Sequence, residues 1–256
     1  MKASITRIKM FKACRRAWDF RYNACLLPVR SSDAIETGKS YHAYLEALEN
    51  GEAIDVDCSR ACAMAKAWEK YILPQISVGI TELEIEKKIG AHILHGFVDG
   101  IAEDGCIVEH KTTSRDISEG GEYEYSLLWD EQVLAYMSLT GQRKVYYTVC
   151  RKPTIRIKKD ESEQEFYERM VAWYDEYTWD KIRIFTIERT DAEVAQFERD
   201  FESICAEMQE AEAEKSKVYR NTCHCMSYGS RCEYASICLN YDPEQEYIEF
   251  VKGEKG

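Results

Sequence analysis

Between residues 80 and 112 the chain gives up helical spacing for alternation, and no other feature limits its fold as strongly. Residues 80–89, 91–98 and 106–110 read as three short strands, separated by Gly90 and by the turn Ala102-Glu103-Asp104-Gly105. They form meander material, in which consecutive strands run antiparallel. Residues 143–150 and 181–188 read as further strands, and residues 154–157 with Pro153 as part of a hairpin.

Helical spacing surrounds these strands. A helix is expected from Ser4, with Ile8, Phe11 and Trp18 on one side, and others over 36–49, 59–72 and 126–139. Asn50-Gly51 stops the second and Pro74 the third. Asp160 with Glu163 forms a capping pair ahead of Phe166, Met170, Trp173 and Tyr177. Thr190 with Glu193 repeats the device ahead of Val194, Phe197, Phe201, Ile204 and Met208. The expected class is α/β, a central, mostly antiparallel mixed sheet flanked by helices. The expected organisation is a basic helix at 1–30, a core at 31–215, a cysteine-rich segment at 216–242 and an acidic tail at 243–256.

No apolar run approaches the roughly 20 residues that span a bilayer, and no apolar stretch follows the basic start. A cytoplasmic protein that engages no membrane is expected. The 11 cysteines are then reduced thiols, free to pack or to bind metal. The formal charge of -12 is unusual for a nucleic-acid binder, but it is unevenly spread. Lys2, Arg7, Lys9, Lys12, Arg15, Arg16, Arg21 and Arg30 face a single acid, Asp19, within residues 1–30. Arg143, Lys144, Arg151, Lys152, Arg156, Lys158 and Lys159 face none within 143–159. Each segment carries a local +7, read as ordinary patchiness or as a track for phosphates.

The strands also carry charge. In GFVDGIAEDGCIVEHKTTS, Asp99 ends one strand, and Glu109 and Lys111 share a face of the next. An antiparallel return can bring Asp99 beside them. Two carboxylates forced together raise each other's pKa, and a divalent cation resolves the conflict. Mg²⁺ or Mn²⁺ would take hard oxygens from Asp99, Glu109 and the carbonyl of His110. Lys111 would position or help deprotonate a water and offset charge on a phosphate. An E-x-K triplet alone is commonplace on solvated strands; here Ile107-Val108 make the strand apolar, and Thr112, Thr113 and Ser114 add donors. Upstream, Gly38 and His42 stand four apart near a helix start; downstream, Gln132 and Tyr136 share a helical face.

Together, Gly38-x₃-His42, Asp99, Glu109-His110-Lys111 and Gln132-x₃-Tyr136 resemble the RecB-like branch of the PD-(D/E)xK nucleases over residues 35–140. That branch includes nuclease domains of bacterial recombination helicases, CRISPR-associated adaptation exonucleases and phage-borne exonucleases. The resemblance implies a restriction-endonuclease-like core and DNA cleavage with Mg²⁺ or Mn²⁺, from ends or on single strands. It implies catalytic roles for Asp99, Glu109, Lys111, Gln132 and Tyr136, and a metal held by His42, Asp99, Glu109 and the His110 carbonyl. Glu84 or Glu86 would contribute, and Val98 stands where the motif's proline is nominal. Trp18, Tyr22 and Tyr136 are candidates for stacking on unpaired bases. A role in recombination or repair, a separate helicase or recombination protein as partner, and a homo-oligomer complete the expectations. The alternatives are a catalytically idle DNA-binding or assembly subunit and an iron-sulfur redox protein.

Cys14 and the segment NTCHCMSYGSRCEYASIC leave zinc, iron-sulfur and free thiols open by spacing alone. A subset of the same branch holds a 4Fe-4S cluster with one N-terminal and three C-terminal cysteines. The resemblance thus implies Cys14, Cys225, Cys232 and Cys238 as ligands, joining the two ends of the chain. Gly229 stands at the usual third position, so an insertion is required there; Cys225 is favoured as the third ligand, with Cys223 the spare. Cys25, Cys58, Cys62, Cys106, Cys150 and Cys205 are expected to be buried apolar groups.

Overall fold

The computed structural model describes residues 1–29, 33–52, 58–176, 178–227, 231–239 and 250–253. They fall into two compact units: one from Ser32–Ile85 and Gly96–Val194, the other from Met1–Ser31, Glu86–His95 and Ala195–Gly256. The protein is a mixed α/β chain with a central mixed sheet flanked by helices. Among the described residues no helix is long and apolar enough to cross a membrane.

The Ser32–Ile85/Gly96–Val194 unit is built on strands β4 (His92–Ala102), β5 (Ile107–Thr113), β6 (Lys144–Arg151) and β7 (Ile182–Glu188), hydrogen-bonded in that order, with β3 (Val78–Ile89) on β4. The turn from β4 to β5 closes at Gly105, whose φ of +85° suits glycine. That connection is short, and the pair is antiparallel, with Gly100 opposite Val108. Between β5 and β6 the chain instead inserts helices α5 (Glu122–Leu127) and α6 (Glu131–Thr140), so β6 returns parallel to β5.

Alternation divides the residues of β5 between its two faces. Val108 joins a core with Tyr41 and Leu45 of α3 (Asp33–Glu49), Met64 and Trp68 of α4 (Ser59–Tyr71) and Tyr174 of α7 (Glu163–Asp175). Glu109 and Lys111 instead meet α6. That helix lies close to β4 at Gly96, where a Cβ would stand 3.2 Å from Leu139 and 3.3 Å from Tyr136. A larger residue there would force Leu139 and Tyr136 of α6 to give by a few tenths of an ångström.

The other unit begins with β1 (Lys2–Ser4), parallel to the start of β4, followed by α1 (Ile5–Ala13) and α2 (Arg15–Trp18). Ser4 caps α1 by accepting the Arg7 N–H. Ile8, Phe11 and Trp18 are buried as their spacing requires, with the two rings edge-on at 5.0 Å. Short strands β2 (Leu26–Pro28) and β8 (Phe250–Lys252) pair antiparallel and tie the start of the chain to its end. Tyr234, just before the short helix α9 (Ala235–Cys238), stacks on Phe250 and donates to the Leu26 carbonyl. The long helix α8 (Asp191–Ala213) opens on the expected Thr190–Glu193 pair and buries Phe201, Cys205, Met208 and Ala211.

Among the pairs with a described register, β1–β4 and β5–β6 are parallel and β4–β5 and β6–β7 antiparallel, so the sheet is mixed, as expected. Several expectations shift. Residues 154–157 form no strand: the Lys152 N–H donates to the Thr113 carbonyl as the last bond to β5, and Pro153 has no N–H to carry the ladder on. The capping box of α7 is Ser162 with Glu165, two residues beyond the expected pair. Its inward face carries Phe166, Met170 and Tyr174, and Tyr177 lies outside the described residues. The expected helix at 126–139 is two helices, and Asp130 caps the second. Most of the acidic tail and Gly229 also lie outside the described residues.

Candidate active site

The site forms in the Ser32–Ile85/Gly96–Val194 unit, where the end of β4, the middle of β5, α3 and the start of α6 converge. Asp99 accepts the His110 backbone N–H at 2.7 Å through Oδ2, and its Oδ1 lies 3.7 Å from His42 Nδ1. One residue earlier on β5, the Glu109 side chain is 3% exposed. Its Oε1 accepts from Lys111 Nζ at 2.5 Å and from Gln132 Nε2 at 3.0 Å. Gln132 also accepts from Lys111 at 2.9 Å and donates to the Tyr136 hydroxyl at 2.7 Å. Asp99, Glu109 and Lys111, expected together from strand alternation, thus stand with Gln132 and Tyr136, which the resemblance implied, and with His42 beside Asp99.

Glu109 Oε2 is buried and has no hydrogen-bond partner. A buried anionic oxygen without a donor is costly. Burial first, and the Asp99 charge second, push the Glu109 carboxyl up to about 7. Burial likewise raises Asp99, against the pull of His110 and Lys111. Burial works against the Lys111 ammonium, but Glu109, Asp130 and Asp99 outweigh it, so its pKa rises. These carboxylates favour the ammonium form of Lys111. Burial, reinforced by the neighbouring His110, lowers His42 to about 4 and keeps its imidazole neutral. Oxygen donors with excess negative charge and a neutral imidazole suit a divalent cation. Among the described residues no group of three or more His, Cys, Asp or Glu side chains stands positioned to hold a metal ion.

The His110 side chain lies on the opposite face of β5 from Glu109 and Lys111, with its ring edge-on to His42 at 6.0 Å. Its Nδ1 lies 2.6 Å from the Thr148 hydroxyl and its Nε2 3.4 Å from Glu49, with the Trp68 ring edge-on at 5.6 Å. Burial opposes its charge, yet Glu49 and Asp99 raise its pKa.

Three residues escape the sequence motif. Asp130 caps α6, accepts from the Tyr147 hydroxyl at 3.2 Å and lies 3.9 Å from Lys111 Nζ. An Asp followed two residues later by Gln132 at a helix start was its available signal. Glu49 reaches the site from the far end of α3 and leaves no such signal. Glu82, exposed and with a φ of +42°, bears on the Asp99 charge. Of the two β3 glutamates expected to contribute, Glu86 pairs with Lys2 and Glu84 is exposed.

At the basic start, Lys2, Arg7 and Arg15 pair with Glu86, Glu212 and Glu207. Trp18 is fully buried and Tyr136 nearly so, and the Arg7 guanidinium lies 5.2 Å over Tyr22. Trp18 and Tyr136 are therefore packing groups rather than stacking platforms. In the Met1–Ser31/Glu86–His95/Ala195–Gly256 unit, Cys14, Cys225, Cys232 and Cys238 line one cavity of about 100 Å³, and Cys223 is exposed. Burial raises the thiols of Cys232 and Cys238, and Cys14 and Cys225 add to both shifts. Cys106, Cys150 and Cys205 are buried as expected, whereas Cys25, Cys58 and Cys62 are half-buried.

No curated protein matches the chain. Among solved structures, a protein from Eubacterium rectale assigned as an exonuclease aligns at 12% identity over 93% of this chain and 87% of that one, with a TM-score of 0.55, which shows a shared fold. A phage-related exonuclease from Haemophilus somnus 129PT aligns at 14% identity over 74% and 90%, with a TM-score of 0.41. The alkaline exonuclease LHK-Exo from Laribacter hongkongensis aligns at 17% over 84% and 92%, with a TM-score of 0.38. The family model of the PD-(D/E)XK nuclease superfamily matches residues 59–239, which carry Asp99, Glu109 and Lys111. The chain belongs to the PD-(D/E)XK nuclease superfamily.

Proposed function

We propose that the chain is a divalent-metal-dependent deoxyribonuclease that degrades DNA from ends or on single strands. The observation that carries this reading is the orphaned Oε2 of Glu109, buried beside Asp99 and Lys111. Members of the superfamily typically use Mg²⁺ or Mn²⁺. The donors present suit that ion: Asp99 and Glu109 would hold it, with His42 and the His110 carbonyl as further ligands. When bound, the ion supplies Lewis acidity toward the phosphate and acidifies a water. Lys111 stays protonated, offsets the charge that develops on the phosphate and holds Glu109 in place. Gln132 and Tyr136 brace that ammonium through one hydrogen-bonded chain. Asp130, missed by the motif, adds a second negative neighbour for Lys111.

The test offers labelled linear and closed-circular DNA with Mg²⁺, Mn²⁺ or a chelator. Metal-dependent shortening of linear DNA that spares circles, and that disappears in Asp99→Asn, is expected. Cutting of circles at a matching rate would make the chain an endonuclease, and binding without cleavage would make it an idle DNA-binding subunit.

In the Met1–Ser31/Glu86–His95/Ala195–Gly256 unit, four thiols around one small cavity support a 4Fe-4S cluster held by Cys14, Cys225, Cys232 and Cys238. Such a group would clasp the chain's ends and supply no step in hydrolysis. Iron and sulfide content of purified protein tests this. Cys225→Ser is expected to lose the iron and Cys223→Ser to keep it; stoichiometric zinc in place of iron would contradict the cluster.

A further inference from the structure

The turn that delivers Asp130 to the site also leaves a set of apolar groups in water. In α5, Tyr123 and Leu127 face inward and are buried. The backbone then closes a tight turn, with N–H groups of Leu128, Trp129 and Asp130 donating to the carbonyls of Tyr125, Ser126 and Leu127. That turn puts Tyr125, Leu128 and Trp129 outside, at 61%, 41% and 85% exposure. Trp18 and Trp68, by contrast, are fully buried. Packing accounts for part of Leu128 and Tyr125 but for almost none of Trp129, and large apolar groups left in water together on one turn mark a contact surface.

The surroundings say what the contact is. Trp129 directly precedes Asp130, whose carboxylate lies 3.9 Å from Lys111 Nζ, so the turn that carries the indole adjoins the site in the chain. Two guanidinium groups belong to the same turn. Arg189 donates to the Leu128 carbonyl, and the exposed Arg115 donates to the Ser126 hydroxyl at 3.4 Å while its carbon lies 5.3 Å over Tyr123. Arg189, 10% exposed and paired with Glu193, braces the turn, whereas Arg115 is exposed; an open aromatic face beside that guanidinium suits an unpaired nucleobase with its phosphate.

We propose that Trp129, supported by Tyr125 and Leu128, is a stacking platform for an unpaired base of the strand held in the site. This rests on the nuclease reading and deepens it by naming single-stranded DNA as the form engaged. The aromatic role expected of Trp18 and Tyr136 passes to residues that the fold leaves accessible.

The full chain, in chelator so that no cleavage occurs, is titrated with labelled oligothymidylate and with an abasic strand of equal length. Wild type is expected to bind thymidylate more tightly, with Trp129→Ala weakening only that interaction, by about tenfold or more. Trp129→Phe should recover most of the loss. Indole fluorescence should be quenched by thymidylate in wild type and not in Trp129→Phe. Equal affinity of wild type and Trp129→Ala for both strands would overturn the platform while leaving cleavage of DNA by wild type, and the nuclease reading, intact. A change in sedimenting mass caused by Trp129→Ala would overturn it in favour of a protein contact. A wild-type chain that neither binds nor cuts DNA would remove both readings.

Discussion

Lys111→Ala is expected to slow DNA cleavage by about 10²–10³-fold at saturating Mg²⁺, the range typical for loss of one aligned group that stabilises transition-state charge. The reason lies in its partners. Its ammonium joins Glu109 at 2.5 Å and Gln132 at 2.9 Å, with Asp130 at 3.9 Å. It therefore serves both as the positive charge facing the phosphate and as the group that fixes Glu109. Lys111→Arg should keep the charge yet recover little, because a planar fork cannot take the place of a compact ammonium between two closely set acceptors. Single-turnover rates measured with DNA affinity separate the two possible losses: the rate should fall while affinity changes little. A variant as fast as wild type would place the chemistry elsewhere.

The second large effect concerns stability without metal. The Glu109 carboxyl is pushed up to about 7 from an ordinary 4.5. The folded chain thus holds that proton more tightly than the unfolded chain. Its stabilising contribution is fully present below about 4.5 and is lost as pH rises through about 7. The linked change is on the order of 3 kcal/mol, or roughly 6–12 °C in Tm for a chain this size. His42 runs the other way. Its pKa is lowered to about 4 from 6.5, so its contribution is lost as pH falls below 6.5. The difference between wild type and Glu109→Gln isolates the glutamate. Thermal melts in chelator should show the variant gaining on wild type between pH 5 and 8 by about that amount. Mn²⁺ at pH 8 should raise the Tm of wild type and leave the variant unmoved. Parallel pH curves for the two proteins would mean that Glu109 carries no such strain.

Much of this was legible in the sequence, and the parts that were not share a cause. The strand pattern and the Asp99, Glu109 and Lys111 cluster could be read because alternation and a short turn act locally. For Gln132 and Tyr136 the four-residue interval gave only a shared helical face, and their place beside Lys111 came from the family resemblance. The parallel return of β6 was legible only in hindsight, from the two helices between it and β5. Treating 126–139 as one helix concealed the break before Asp130. With it went both the capping carboxylate near Lys111 and the exposed Trp129. Glu49 and Thr148 come to His110 from distant positions, and no spacing rule links them. Burial was the least legible property: Trp18 and Trp129 are alike as letters, yet one is fully buried and the other 85% exposed.

The account stands on one divalent ion shared by Asp99 and Glu109, and calorimetric titration of the full chain with Mn²⁺ measures it directly. One Mn²⁺ per chain is expected to bind at this site, with binding lost in Asp99→Asn and in Glu109→Gln and kept in Lys111→Ala. Mn²⁺ binding of unchanged stoichiometry and affinity in both carboxylate variants would contradict it.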